Sequence, residues 1–255
     1  DFYYEPPSGF LALCTSNLAD PEIALPTDHF NTTIDTGTGG TGTRALTGVG
    51  FTPDFTWRKN RSSAWSHRLY DRLRVADSPT GFEALFSDTT AYSGQYDDYG
   101  VIESFDSDGF TLVKGSESDW ADNLSGDDYV SWNWKAGGAG STNTDGSIGG
   151  TVTVSANPTA GFSIGTFTTQ ATSGAVTIGH GLTEAPTLII LKDRDHTFNW
   201  DVYPDSITDA EDYRMVLNEN YATDAGGWDD TVPGASTWTF DQAFYGSRPA
   251  GDECV

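Results

Sequence analysis

The residues of this chain best suited to meet a charged partner are gathered in one band. Seven of its thirteen basic residues lie between Arg44 and Arg74, namely Arg44, Arg58, Lys59, Arg61, Arg68, Arg72 and Arg74, with Trp57, Trp65, His67 and Tyr70 set among them. Arg and aromatic side chains are enriched in the cores of interfaces. Arg58, Arg61, Trp65, His67, Arg68, Arg72 and Arg74 are therefore candidate contacts for an acidic protein surface or a glycan. The same residues have a plainer use. The chain carries 37 Asp and Glu, so each cation has intramolecular partners in reach, and surface ion pairs are common and weak.

Other spellings carry less. Asp106-Ser107-Asp108-Gly109 resembles the opening of a calcium loop, but the bidentate Glu that completes such a loop is absent. Asp106 and Asp108 stand as the calcium candidates, with Asp97-Asp98 and Asp127-Asp128 as further oxygen donors. A hairpin turn selects the same residues, and no other cofactor is expected. Gly161-Phe162-Ser163-Ile164-Gly165 has the nucleophile-elbow spelling, which requires a strand, a strained turn and a helix. Thr166-Phe167-Thr168-Thr169 follows instead and is strand-like. The four histidines, 29, 67, 180 and 196, share no metal-ligand spacing, and Asp193-Arg194-Asp195-His196 reads as a polar hairpin. Paired carboxylates for glycoside hydrolysis gain no support, because so acidic a chain always contains some pair. No enzymatic activity is expected. Asn31-Thr32-Thr33 and Asn123-Leu124-Ser125 are glycosylation spellings that matter only on a eukaryotic secretory route.

The elements that must carry these residues repeat. Gly48-Val49-Gly50 returns as Gly179-His180-Gly181, and Pro53, Tyr70 and their neighbours return 133 residues later at Pro186 and Tyr203. Gly126-Asp127-Asp128-Tyr129-Val130 is echoed by Gly251-Asp252-Glu253-Cys254-Val255. A period this long exceeds a solenoid unit and implies a domain duplicated in tandem. Short β-branched and aromatic runs between turn residues predict an all-β architecture: two tandem antiparallel β-sandwich (jelly-roll-like) domains. Residues 1–28 form an N-terminal arm or the end of a preceding domain. Residues 29–136 are the first sandwich, 137–146 a flexible Gly/Ser/Thr linker, and 147–255 the second sandwich, which is expected to be truncated. Leu73–Gln95 lacks a clean period and reads as a long loop with one helical turn near Phe82–Phe86. In the central repeat, Phe55 and Trp57 alternate with Thr56 and Arg58, which predicts one wet face.

Net charge is −24, which opposes binding to nucleic acid or to an anionic membrane and suits a protein at high ionic strength. No stretch of 18 apolar residues appears, so no membrane-spanning helix is predicted. Cys14 and Cys254 are too few and too far apart for a disulfide framework and read as small buried side chains.

The run from Gly50 to Ser62, with Ser66-His67, Tyr70-Asp71, Ser107–Leu112, Gly126-Asp127, Trp132–Gly138, Asn143–Ile148 and Ser155–Ile164, resembles a tandem domain of unknown function in virion structural proteins of marine bacteriophages, of the cyanophage and pelagiphage kind. Arg58 departs from the aliphatic residue expected there. Phe10–Leu18 resembles the segment that joins this region to an upstream concanavalin A-like lectin domain. The resemblance implies a non-enzymatic virion component, in a tail, fibre or head-surface appendage at the virion surface. It would act through contacts with other virion proteins and form a homo-oligomer, with an interface above about 1,000 Å². The alternative is a glycan-binding module for host attachment. Finally, the repeat matches Val255 to Val130, and the first copy then runs on through Ser131-Trp132-Asn133-Trp134. The second copy should therefore show an apolar slot where that strand belongs, filled by further polypeptide or by another subunit.

Overall fold

The computed structural model describes residues 7–8, 20–74, 81–170, 174–220, 223–241 and 250–255. Cys14 and most of the expected arm lie outside them. The described residues are all-β, with short 3-10 turns between strands. The first half holds β1 (Phe30–Thr36), β2 (Thr43–Thr47), β3 (Phe55–Asn60), β4 (Arg68–Asp71), β5 (Val101–Asp106), β6 (Gly109–Val113) and β7 (Asp128–Trp134). The second holds β8 (Ser141–Asn143), β9 (Val152–Asn157), β10 (Phe162–Thr168), β11 (Ala175–Gly179), β12 (Leu188–Leu191), β13 (Asp201–Pro204), β14 (Tyr213–Val216), β15 (Asp224–Ala225), β16 (Thr237–Asp241) and β17 (Glu253–Cys254).

All pairings are antiparallel. One sheet has the order β1-β7-β3-β4 and another β2-β6-β5. A third, β8-β9-β10-β17, runs on into β12-β13-β14-β15, because Lys192 and Val255 exchange both backbone hydrogen bonds and Asp193 bridges Cys254. The pair β11-β16 completes the set. These small sheets are arranged as a four-bladed propeller. The expected class, all-β and antiparallel, is the class observed.

The same contacts recur in the two halves. In the β3–β4 hairpin Phe55 faces Asp71 and Arg58 faces Arg68; 133 residues on, Leu188 faces Pro204 and Leu191 faces Asp201. Gly37 N–H bonds to Asp127 O, and Thr169 N–H to Asp252 O. Arg61 N–H bonds to Asp128 O, and Arg194 N–H to Glu253 O. Lys59 Nζ donates to the carbonyls of Ser63 and Trp65, and Lys192 Nζ to those of His196 and Phe198.

Two cores result. Tyr70, Phe86, Ile102, Phe110 and Leu112 are buried in the first half; Phe167, Leu191, Tyr203, Trp228 and Phe240 in the second. Three local expectations change. The polar side chains of β3, Thr56, Arg58 and Asn60, occupy its buried face, while Phe55 and Trp57 are half-buried on the other. That second face is not wet, because Phe55 and Trp134 pack on Phe162 of the other half, at 6.1 and 5.9 Å between ring centroids. Phe82–Phe86 is not a helical turn: Phe82 bridges Ile102 and Leu85 bridges Leu69, and Ala84, Leu85 and Phe86 are all buried. Such a run has no helical period to exploit. Residues 137–146 are knitted into the structure rather than loose. β8 pairs with β9, Gly137 N–H donates to Ser155 Oγ, and a Cβ on Gly140 would lie 2.4 Å from Leu73. The glycines there serve close approach.

Candidate functional site

The cationic band is largely spent inside the protein. Strand alternation turns Arg58 inward, where its guanidinium meets Asp35 at 2.8 and 3.1 Å, Ser131 Oγ at 2.8 Å and the Asp122 carbonyl at 2.9 Å, 4.3 Å from the Tyr129 ring centroid. Arg44 shares Asp35. Arg68 reaches the Gly100 carbonyl and Asp122 at 3.3 Å, and Tyr70 donates to the same Asp122 carboxylate at 2.8 Å. Burial, then the Asp122 charge, pushes the Tyr70 hydroxyl well above its ordinary pKa. Arg74 pairs with Asp71, and Arg72 with Asp54, whose other oxygen accepts the amides of Ala136 and Gly138. Arg58, Arg68 and Arg74 are thus buried and present no surface to a partner, which corrects their assignment as contacts. A buried guanidinium is stable only when its donors are paired, and the acidic surplus of the sequence supplies those pairs.

Arg61 is exposed, and Trp65 and His67 are half-buried. Trp65 packs against Tyr99 at 5.5 Å. Trp57 Nε1–H donates to His67 Nδ1 at 2.8 Å, and burial lowers the imidazole pKa. The calcium candidates are engaged by the chain itself. Asp108 accepts the amides of Gly48 and Gly50, and Asp106 accepts Ser104 Oγ and Thr111 Oγ1. Asp108 thereby ties the repeated Gly-x-Gly turn to the β5–β6 hairpin.

Among the described residues, tertiary structure gathers Asp193, His196 and Asp252, whose ligand atoms all lie within 4.8 Å of one another. His196 Nδ1 lies 3.1 Å from Asp252 and 3.7 Å from Asp193. Asp252 is 59 residues from Asp193 in sequence, so spacing alone does not reveal the group. The matching corner of the first half is Asn60, Ser63 and Asp127. There Asn60 Nδ2 and Ser63 Oγ donate to Asp127 at 2.7 and 2.8 Å, and these bonds hold its carboxyl below the usual range. In both corners the first residue caps the following turn, accepting the amides of Ser62 and Ser63 or of Asp195 and His196. The second corner thus substitutes Asp and His for neutral Asn and Ser. Two carboxylates with an imidazole suit a divalent cation.

One opening among the described residues is lined mainly by apolar side chains. In the first half β7 fills the interval between β1 and β3: Trp132 faces Thr32 and Trp57, and Trp134 faces Phe30 and Phe55. In the second half β17 enters the corresponding interval between β10 and β12, placing Cys254 beside Phe167 and Asp193. Next to Val255 the interval widens into a cavity of about 450 Å³, walled by Phe162 and Ile164 on one side, Leu188 and Ile190 on the other, with Trp57 and Trp200 across it. Several of its polar members are engaged. Asp71 and Arg74 hold each other, and Ser163 Oγ donates to the His180 carbonyl. His180 Nδ1 accepts the Leu182 amide while its Nε2–H is left to the Gly234 carbonyl. Ser163 lies within β10, a strand that continues to Thr168, so the elbow spelling has no elbow. No signal in the sequence marks the cavity except the repeat itself.

No curated protein and no solved structure shows a significant match to this chain. Residues 25–253 match the model of a domain of unknown function, DUF7483. The match spans the described fold from before β1 into β17, and the chain belongs to that family.

Proposed function

We propose that the protein is a non-enzymatic structural component of a virion, built by tandem duplication and working through protein–protein contacts. The recurrence of hydrogen bonds at matched positions supports the duplication. The observation that carries the functional reading is how the chain spends its polar groups. The buried ionic side chains around Asp35, Asp122, Asp54 and Asp71 are paired into a framework, and the cavity beside Val255 is walled largely by apolar side chains. This favours packing against polypeptide over chemistry on a small molecule. The resemblance to marine bacteriophage proteins supplies the setting, and an upstream lectin-like domain belongs to that same reading.

Antibodies raised against the purified chain test it. The expected result is labelling of intact particles at a repeated position, with the chain recovered from purified particles by mass spectrometry. Its absence from particles overturns the reading. A glycan array separates the adhesion alternative, which the half-exposed Trp65–Tyr99 pair beside Arg61 favours. Selective retention of one polysaccharide, lost in Trp65→Ala, would replace the structural role with attachment.

A further inference from the structure

We propose that Asp193, His196 and Asp252 bind one divalent transition-metal ion of the zinc type, and that the ion clamps the turn after β12 to the start of β17. Asp193 and His196 belong to that turn, and Asp252 immediately precedes β17. The ion would join two segments that already meet at the Asp193–Cys254 bridge.

The spacing of the ligand atoms is the first support. His196 Nδ1 lies 3.1 Å from Asp252 Oδ2 and 3.7 Å from Asp193 Oδ1, and all three ligand atoms lie within 4.8 Å of one another. Tetrahedral ligands bonded to zinc at about 2.0–2.2 Å stand roughly 3.3–3.6 Å apart. A small closing movement of the side chains is enough to reach that geometry. The backbone around the group is fixed. Asp193 Oδ1 accepts the amides of Asp195 and His196, Asp252 exchanges hydrogen bonds with Thr169, and Glu253 N–H donates to Asp195 Oδ2. Outer contacts of this kind orient metal ligands. Asp193 and Asp252 are buried, whereas the His196 side chain is 45% exposed, so the site opens to solvent on one side, where an ion can enter and water can complete its shell.

The two halves supply a second support that does not depend on these distances. Asn60, Ser63 and Asp127 occupy the same corner of the first half, and Asn60 Nδ2 and Ser63 Oγ both donate to the Asp127 carboxylate. In the second half the carboxylate is kept as Asp252, and both neutral donors are exchanged for metal-ligand types, Asp193 and His196. The acidic surplus accounts for an added Asp but not for the His, one of four in 255 residues. A divalent ion would give Asp252 the positive partner that Asn60 and Ser63 give Asp127 as hydrogens. A protonated His196 alone offers one N–H at Nδ1, enough for one of the two carboxylates. The imidazole nitrogen selects the ion, because it suits zinc and its neighbours, while calcium takes an oxygen shell.

The test titrates ZnCl₂ into the chain 1–255, stripped beforehand with EDTA, and reads calorimetry and the thermal midpoint. The expected result is one saturable Zn²⁺ per chain and a midpoint that rises with Zn²⁺ concentration. Two variants locate the ion. Asp193→Asn with His196→Ser copies the corner of the first half, and His196→Gln alters an exposed side chain without touching the core. Each is expected to weaken Zn²⁺ binding about tenfold or more, and His196→Gln to melt as the parent does when no metal is present. No saturable binding by the parent overturns the proposal. So does His196→Gln binding as tightly as the parent, which would show an adventitious ion only, held by the acidic surface. Ca²⁺ binding more tightly than Zn²⁺ would also overturn it, because the imidazole would then not be a ligand. The proposal and the virion reading are tested separately, since none of these readouts involves a particle.

Discussion

At the scale of single residues, the first half of the protein stores charge where the second stores hydrocarbon. Arg58 and Leu191 hold the same place in their hairpins, and Asp35 and Phe167 the same place on the strands beside them. Arg58 and Asp122 are 1% and 2% exposed, so removing the cation alone strands buried carboxylates. Arg58→Leu is expected to destabilise the fold by about 3–5 kcal/mol in urea titrations. Adding Asp35→Phe should recover part of the loss, because the carboxylate with two hydrogen bonds to Arg58 is then replaced as well, while Asp122 keeps Arg68 and Tyr70. A double variant no more stable than the single one would disprove this coupling. Asp97 gives a pH signature. Burial raises its carboxyl to about 6, although it accepts the Ala84 amide. The folded value lies above the unfolded one, so this group favours folding below the unfolded value, near 4, and the benefit is lost as pH rises through about 6. Asp97→Asn is therefore expected to stabilise the protein at pH 7–8 by on the order of 2 kcal/mol and to do little at pH 4. Equal thermal shifts at both pH values would contradict that cause.

Elements are held by backbone fit as much as by side chains. Gly109 opens β6 directly after the Asp106–Asp108 turn, with φ of +151°, and a Cβ there would lie 2.0 Å from the Leu46 carbonyl oxygen across the β2–β6 ladder. That atom belongs to a paired strand and cannot step aside without breaking the pairing. Gly109→Ala should cost more than about 3 kcal/mol, beyond the ordinary range for a point substitution. The loss should appear as fast amide exchange in β2 and β6. Uniform exchange behaviour with a cost below about 1 kcal/mol would show that the hairpin shifts freely. Strand positions were partly legible in the sequence, since the alternating run Phe55-Thr56-Trp57-Arg58 lies in β3 and the strand-like Thr166-Phe167-Thr168 in β10. β1 was not. Phe30-Asn31-Thr32-Thr33-Ile34-Asp35-Thr36 is polar and Thr-rich, and its strand state depends on pairing with all seven residues of β7.

For the whole molecule, the two halves share a third cluster of Leu69, Leu85 and Trp200, backed by Phe55, Trp57 and Ile190. Trp200 Nε1–H donates to the Phe86 carbonyl at 2.8 Å, and Lys192 Nζ to the Thr90 carbonyl at 3.3 Å. Joined by both apolar burial and buried hydrogen bonds, the halves should unfold together. Calorimetry is expected to show one transition for the parent chain and two for Trp200→Ala, which removes the ring and its bond. Two transitions in the parent would show that the junction does not couple the halves.

What the sequence determined alone was the class, the strand runs and the repeat, because each is written in local periodicity or in identity at a constant offset. It also determined that the cations would find acids, since 37 carboxylates face 13 bases. Which cations are buried was decided by tertiary structure. The alternation of β3 was plain, but its polar face became the inner one only because Asp35 and Asp122 arrive from distant strands and loops to pair with Arg58. The Asp193–His196–Asp252 group and the wall of Phe162, Ile164, Leu188 and Ile190 have the same origin. Each joins residues far apart in the chain, and only the packing of β10, β12 and β17 brings them within reach.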